Sequence, residues 1–186
     1  MIDSIIEIDK KIFIFLNNLG SEKWDFLWLF FSNKIVIFSF MTLLVFFYCY
    51  SLSIKKKAIV VLFFIICVSL SDFLHVQLFK NVFMRLRPCF EPDLNNQIRL
   101  LVDCGGKYGF ISGHASNTAA MVTFLLFAFN KTKVFLKYIL MFWVLLVSYS
   151  RIYIGKHYLL DVFFGVFFGF FIGFLIYKFY HNYIKE

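Results

Sequence analysis

The chain has 186 residues, of which 61% are hydrophobic and only 16% charged, and phenylalanine alone takes 29 positions. A soluble domain has about 45–50% apolar and about 25% charged residues, so one water-facing core cannot hide this surface, and intrinsic disorder is excluded on the same ground. The net charge of +8 does not indicate nucleic acid, because the basic residues sit in short clusters between apolar runs and form no continuous basic face; acidic headgroups or a phosphorylated lipid are the expected counter-charge.

Residues 1–33 read as an amphipathic, interfacial segment. Ile5, Ile8, Ile12, Phe15 and Leu19 recur at helical spacing, with Glu7, Asp9, Lys10, Lys11, Asn17 and Asn18 on the other side. Such a helix lies in the plane of the membrane interface, and Gly20 is a reasonable stop. A cleavable signal peptide is not expected, since the start is not basic and no small-residue cleavage site follows. Trp24 and Trp28 fit an aromatic belt; a deep-lying Trp24–Ser32 would make this stretch a further span.

Residues 34–186 read as an all-α, polytopic transmembrane helix bundle with about five spans of about 20 residues each. The candidates are Ile35–Ile54, Ala58–Phe79, Ser112–Asn130, Val134–Ser150 and Tyr158–Tyr177. The links at Lys55–Lys57 and Lys131/Lys133, with the C-terminus, fall on one side. A count of basic residues does not decide the orientation, but that side packs its charges into very short links, where the positive-inside rule has most force. It is therefore assigned to the cytoplasm. The long irregular segment Arg85–Ile111 lies on the opposite side, and loops of that length are usually functional.

Three clusters carry chemistry, all at that second face. Lys80, Arg87 and Pro88 end the second span; Ser112, Gly113 and His114 open the third; Arg151, His157 and Asp161 lie across the fourth and fifth. Lys and Arg pair with phosphoryl oxygens, and a helix N-terminus adds backbone N–H donors. His157 and Asp161 share a helix face at i and i+4. The carboxylate can take the Nδ1 proton and leave Nε2 as a nucleophile, with His114 as a separate acid and base.

Lys80-x6-Arg87-Pro88, Ser112-Gly113-His114 and Ser150-Arg151-x5-His157-x3-Asp161 together resemble the three-part signature of the type 2 phosphatidic acid phosphatase family. The resemblance covers residues 80–161 in the family's order, and a short, membrane-saturated chain looks most like the bacterial lipid phosphatases of that family. One departure is Ile111, where the family usually has proline; no catalytic group is lost by it. The resemblance implies a phosphohydrolase that needs no metal or other cofactor. His157 would form a phosphohistidine and Asp161 would orient it. Lys80, Arg87, Arg151, Ser112 and the Gly113 amide would hold the phosphate, and His114 would serve as acid and then base. The substrate is expected to be a lipid phosphate or diphosphate, with undecaprenyl diphosphate first and phosphatidylglycerophosphate, phosphatidic acid or lipid A phosphates as alternatives. The expected place is the bacterial inner membrane, with the site facing outward. A lipid-phosphate binding or transport protein without catalysis is the reading from another class; it would not need the His157–Asp161 pair.

Other residues read as follows. Asp72, with His75 and Lys80 nearby on its helix, is assigned a structural role, while His75 and His181 match nothing. Arg85 and Lys156 are divided evenly between contact with a second phosphate or headgroup and simple solvation, and Lys107 is a loop charge. Gly165, Gly169 and Gly173 continue the ridge of His157 and Asp161 in steps of four, which points to close helix packing within the bundle. Cys89 and Cys104 both fall in the long loop; facing an oxidising compartment, they would form a bridge worth about 3 kcal/mol in the chain-entropy model. Cys49 and Cys67 read as inert buried thiols.

Overall fold

A computed structural model describes residues 2–94, 96–129 and 133–185. Two expectations, the end of the third span at Asn130 and the basic link at Lys131, lie outside the described residues. The fold is all-helical. The helices are α1 (Ile2–Asn18), α2 (Glu22–Ser32), α3 (Lys34–Cys49), α4 (Ile54–Phe83), α5 (Gly113–Ala128), α6 (Val134–Tyr153) and α7 (Leu159–Tyr183). Among the described residues the only β pairing is an isolated bridge between Leu86 and Tyr108.

Helices α4, α6 and α7 are each long and apolar enough to cross a membrane. The pair α2 and α3 makes a fourth crossing if it acts as one broken span; its halves meet at 54°. The break has a local cause. Asn33 is extended, and its side-chain carbonyl accepts the Ile35 amide at 2.8 Å, starting a new helix instead of continuing the old one. Helix α5 has 16 residues, or about 24 Å at 1.5 Å per residue. Length alone therefore does not establish the expected count of five. The protein is a multi-pass membrane protein, and large apolar side chains such as Phe46, Phe135 and Phe167 project outward from its helices.

Helix α5 is the centre of the bundle, packed by α3, α4, α6 and α7. Small residues make this possible. Ala115, Ser116, Ala119 and Ala120 are buried on α5, and the glycine ridge of α7 lies directly on them. A Cβ at Gly165 would come within 2.8 Å of the Ser112 carbonyl, and one at Gly173 within 2.5 Å of the Ala120 carbonyl; Gly169 faces the Ser116 carbonyl more closely still. The ridge is thus an internal seam, as its spacing implies.

Helix α1 is turned unlike a helix on a soluble protein. Ile5, Ile8, Phe15 and Leu19 are exposed, whereas Asp9 and Asn17, spaced two turns apart, are 2% and 0% exposed with Phe13 buried between them. Part of the polar side faces protein: Asp9 and Asn17 are buried, while Glu7, Lys11 and Asn18 stay exposed. Asn17 donates to the carbonyls of Arg99, Ile152 and Tyr153 and accepts the Arg99 amide, so one side chain ties α1, the long loop and the end of α6 together.

Candidate active site

The face at which α4 ends, α5 begins and α6 turns into α7 holds a cavity of about 490 Å³. Lys80, Arg87, Gly113, His114, Arg151 and His157 all line it. Six of the eight residues singled out in the sequence meet in one space, and the other two support it. Ser112 is the N-cap position of α5; its buried hydroxyl has no hydrogen-bond partner among the described residues. Asp161 is fully buried behind His157.

Each cation has a local anchor. Lys80 ends a π-helical turn, Val76–Lys80, inside α4; such bulges re-aim side chains and recur at functional sites. The left-handed Met84, at φ +44°, then ends the helix. Arg87 donates to the carbonyls of Tyr108 at 3.2 Å and Cys104 at 2.7 Å, and the loop is closed by a disulfide between Cys89 and Cys104, with Cα atoms 6.1 Å apart. Arg151, buried on α6, donates to the hydroxyl of Ser32 at the end of α2. The amides of Lys156 and His157 both bond the Arg151 carbonyl, at 3.1 and 3.2 Å, which folds the 151–157 turn so that arginine and histidine share the cavity. Gly155 sits in that turn at φ +83°, and a Cβ there would meet the Arg99 carbonyl at 2.7 Å, so glycine is required.

The amides of Gly113, His114 and Ala115 open α5 and have no intrahelical acceptor, which suits an oxyanion. His157 Nδ1 lies 3.4 Å from Asp161 Oδ2, longer than a direct hydrogen bond. Asp161 is itself fixed from two directions: Oδ2 accepts the Tyr158 amide at 3.1 Å, and Oδ1 accepts Arg85 at 2.8 Å. Burial, reinforced by Arg151 and Arg87, holds the His157 imidazole well below its ordinary pKa, so it is neutral and able to act as a base or nucleophile. Lys156 is pushed down to about 8, first by burial and then by Arg151 and Arg87.

The structure adds residues that the motifs do not contain. Arg85 is committed to two carboxylates rather than to a headgroup. Besides Asp161 it binds Asp9 Oδ2 at 2.7 Å and stacks on the Tyr158 ring at 4.1 Å, while Asp9 Oδ1 accepts the Leu160 amide at 3.1 Å. Asp9 is buried, which raises its pKa; Arg85 opposes that rise. His75, which matched nothing in sequence, is buried against Gly113, where a Cβ would meet its Nε2 at 2.6 Å, and it lines the cavity. Lys34 and Lys156 line it too. Asp72 is not merely a support for Lys80: it faces the cavity and accepts the Asn117 amide at 2.7 Å. Asp72 carried a signal in sequence as an acid in an apolar helix, and Arg85 and Lys156 as cations flanking the motifs; Asp9, His75 and Lys34 carried none.

The chain is similar to known proteins along most of its length. The chain is 31% identical over 177 residues to the lipid A 4'-phosphatase of Porphyromonas gingivalis, covering 95% of this chain and 74% of that one. It is 26% identical over 184 residues to the lipid A 4'-phosphatase of Bacteroides thetaiotaomicron, covering 98% and 81%. Its fold matches the PAP2-type phosphatidylglycerolphosphate phosphatase of Bacillus subtilis with a TM-score of 0.72 at 20% identity, covering 96% of this chain and 87% of that one. It also matches Aquifex aeolicus LpxE with a TM-score of 0.65 at 23% identity, covering 90% and 93%. Residues 58–185 fit the family model of the PAP2 superfamily, which spans all three motifs; the chain belongs to that superfamily of type 2 phosphatidic acid phosphatases and is a membrane lipid phosphatase, a hydrolase of phosphoric esters.

Proposed function

We propose that this protein removes a phosphate monoester from a lipid A-type glycolipid at the outer face of the inner membrane, through a phosphohistidine on His157. The observation that carries the chemistry is the convergence of three cations, a helix N-terminus and two imidazoles on one cavity. The two lipid A 4'-phosphatases support the substrate; they favour this reading over undecaprenyl diphosphate, which the sequence alone put first. The disulfide supports the outward orientation, since such bonds persist in oxidising compartments. Helix α1, with its apolar row outward, lies in the interface.

In the first step the His157 Nε2 lone pair attacks phosphorus, the ester P–O bond breaks, and His114 gives its proton to the departing alkoxide. Asp161 holds the Nδ1 side of the ring and stabilises the positive charge it gains. Lys80, Arg87, Arg151, Ser112 and the Gly113 amide hold the non-bridging oxygens, each such preorganised group being worth about 10²–10³ in rate. In the second step neutral His114 takes a proton from water, the water oxygen attacks phosphorus, and the P–N bond breaks to release phosphate. Phosphate release in detergent micelles tests this: His157→Ala abolishes turnover in a protein that still folds, and EDTA leaves the wild-type rate unchanged. Activity that disappears with EDTA and returns with a divalent ion would overturn the mechanism.

A second reading has one observation in its favour. Lys34 and Lys156 extend the cationic lining beyond the three-cation cage, as a diphosphate such as undecaprenyl diphosphate would require. That substrate in the same assay separates the two.

A further inference from the structure

The cavity has two walls of different chemistry, and the acid in the mechanism says which part of the substrate meets each. The leaving oxygen takes its proton from His114, so the alcohol that departs lies on the His114 side. Helix α5 continues from His114 through Asn117, Thr118 and Met121, at i+3, i+4 and i+7, and all four line the cavity. Facing them on α4 are Val68, Ser69 and Asp72. The path from the phosphate therefore crosses a polar belt of Asp72, Asn117, Ser69 and Thr118 before it reaches Val68, Met121, Ile37 and Phe38.

That belt is fixed in place. Ser71 donates to Asn117 Oδ1 at 2.8 Å and pairs with the Ser116 hydroxyl at 2.8 Å, and Asn117 Nδ2 donates to Asp72 Oδ1 at 2.7 Å. The amide is thereby oriented with one N–H spent and the other open. The buried Thr118 hydroxyl has no hydrogen-bond partner among the described residues; Asp72 meets Asn117 and, at 4.0 Å, His75 Nδ1 through Oδ1, and its side chain is 65% exposed. A carboxylate in a membrane-spanning helix is costly unless it serves a polar path or partner. An anionic wall repels phosphate and keeps it at the cation end. It accepts hydroxyl protons well, because a hydrogen bond to a charged group is the stronger kind.

We propose that Asp72 and Asn117 form a hydroxyl-binding wall that selects lipid phosphates whose leaving alcohol carries further hydroxyl or amide donors next to the scissile oxygen. This deepens the proposed function and rests on it, because the side of the leaving group is set by His114. A polyprenyl alcohol would place bare methylenes against a charged carboxylate. The amino sugar of lipid A and the glycerol of phosphatidylglycerophosphate both supply the required chemistry.

The test measures kcat/KM of the full-length protein in micelles on lipid A, phosphatidylglycerophosphate and the hydroxyl-free undecaprenyl phosphate. Asp72→Ala lowers the ratio of hydroxyl-bearing to hydroxyl-free turnover about 10- to 100-fold, the range expected for hydrogen bonds to a charged group. The isosteric Asp72→Asn, which keeps the shape of the wall, lowers it less and stands in if the alanine variant fails to fold. A fall confined to lipid A identifies the amino sugar, and one confined to phosphatidylglycerophosphate identifies the glycerol; either supports the wall. An unchanged ratio, or an equal fall on all three lipids, overturns it while leaving the phosphatase reading intact. Wild-type protein that releases phosphate from none of them removes the function itself, and the wall with it.

Discussion

Helix α7 is held on two sides by contacts of opposite character. Against α5 it presents Gly165, Gly169 and Gly173, whose missing side chains let two backbones touch. Against α1 it presents its N-terminus and Asp161, gripped by Asp9 and Arg85 through charged hydrogen bonds. The first contact is made of shape and the second of charge, yet both fix the same carboxylate beside His157. Shape sets how far α7 stands from the helix that carries His114 and Ser112. The charged clamp sets which way Asp161 points, because Arg85 occupies one oxygen and leaves the other toward the imidazole. The pairing teaches that the distances and the orientations of this site have separate origins and can be damaged separately.

The largest effect is expected at Arg85. Arg85→Ala leaves Asp9 and Asp161 as two buried carboxylates without their shared partner; breaking a buried pair costs about 3–5 kcal/mol. The denaturation midpoint and kcat should fall together, and a variant that loses stability but keeps kcat would reduce the clamp to scaffolding. Gly169→Ala comes next, since its methyl group meets the Ser116 carbonyl; overpacking costs about 1–3 kcal/mol, read as a lowered Tm with little change in the pH profile of the residual activity. Asn17→Ala removes the side chain that joins α1 to the 151–157 turn and costs about 1–3 kcal/mol for the buried groups left unpaired, detectable as faster amide exchange around Ile152. The smallest effect concerns Lys156, whose pKa of about 8 lies below the ordinary lysine value. Its positive charge is present below pH 8 and lost above it, so competitive inhibition by sulfate should weaken as pH rises through about 8. Lys156→Arg should flatten that loss, because a guanidinium stays charged.

The two contacts were not equally legible in the sequence. Glycines in steps of four along an apolar helix announce a close seam, because only backbone approach needs them. The three motifs likewise announced the cage, since phosphate chemistry dictates cations, amides and imidazoles. Asp9 and Asn17 could be placed on the polar face of α1, but periodicity shows that two faces differ and not what covers each. Here the apolar row is outward, and of the polar face Asp9 and Asn17 met protein while Glu7, Lys11 and Asn18 did not. Arg85 was undecided for a related reason: its partners lie 76 positions away on both sides, and no local spacing encodes that distance. Lys34 and His75 enter the cavity from helices that carry the motifs only in part or not at all, so geometry alone could recruit them.

Asn17 and Asp9 leave the ribosome well ahead of their partners at Ile152, Tyr153 and Leu160, which are synthesised up to 151 residues later. At about 5–20 residues per second helix α1 waits on the order of 10 s with Asp9 and Asn17 unpartnered. A nascent chain stalled before residue 150 would carry Lys80, Arg87 and Ser112 but lack Arg151, His157 and Asp161, so the third cation of the cage and the nucleophile are added together, within a dozen residues of one another.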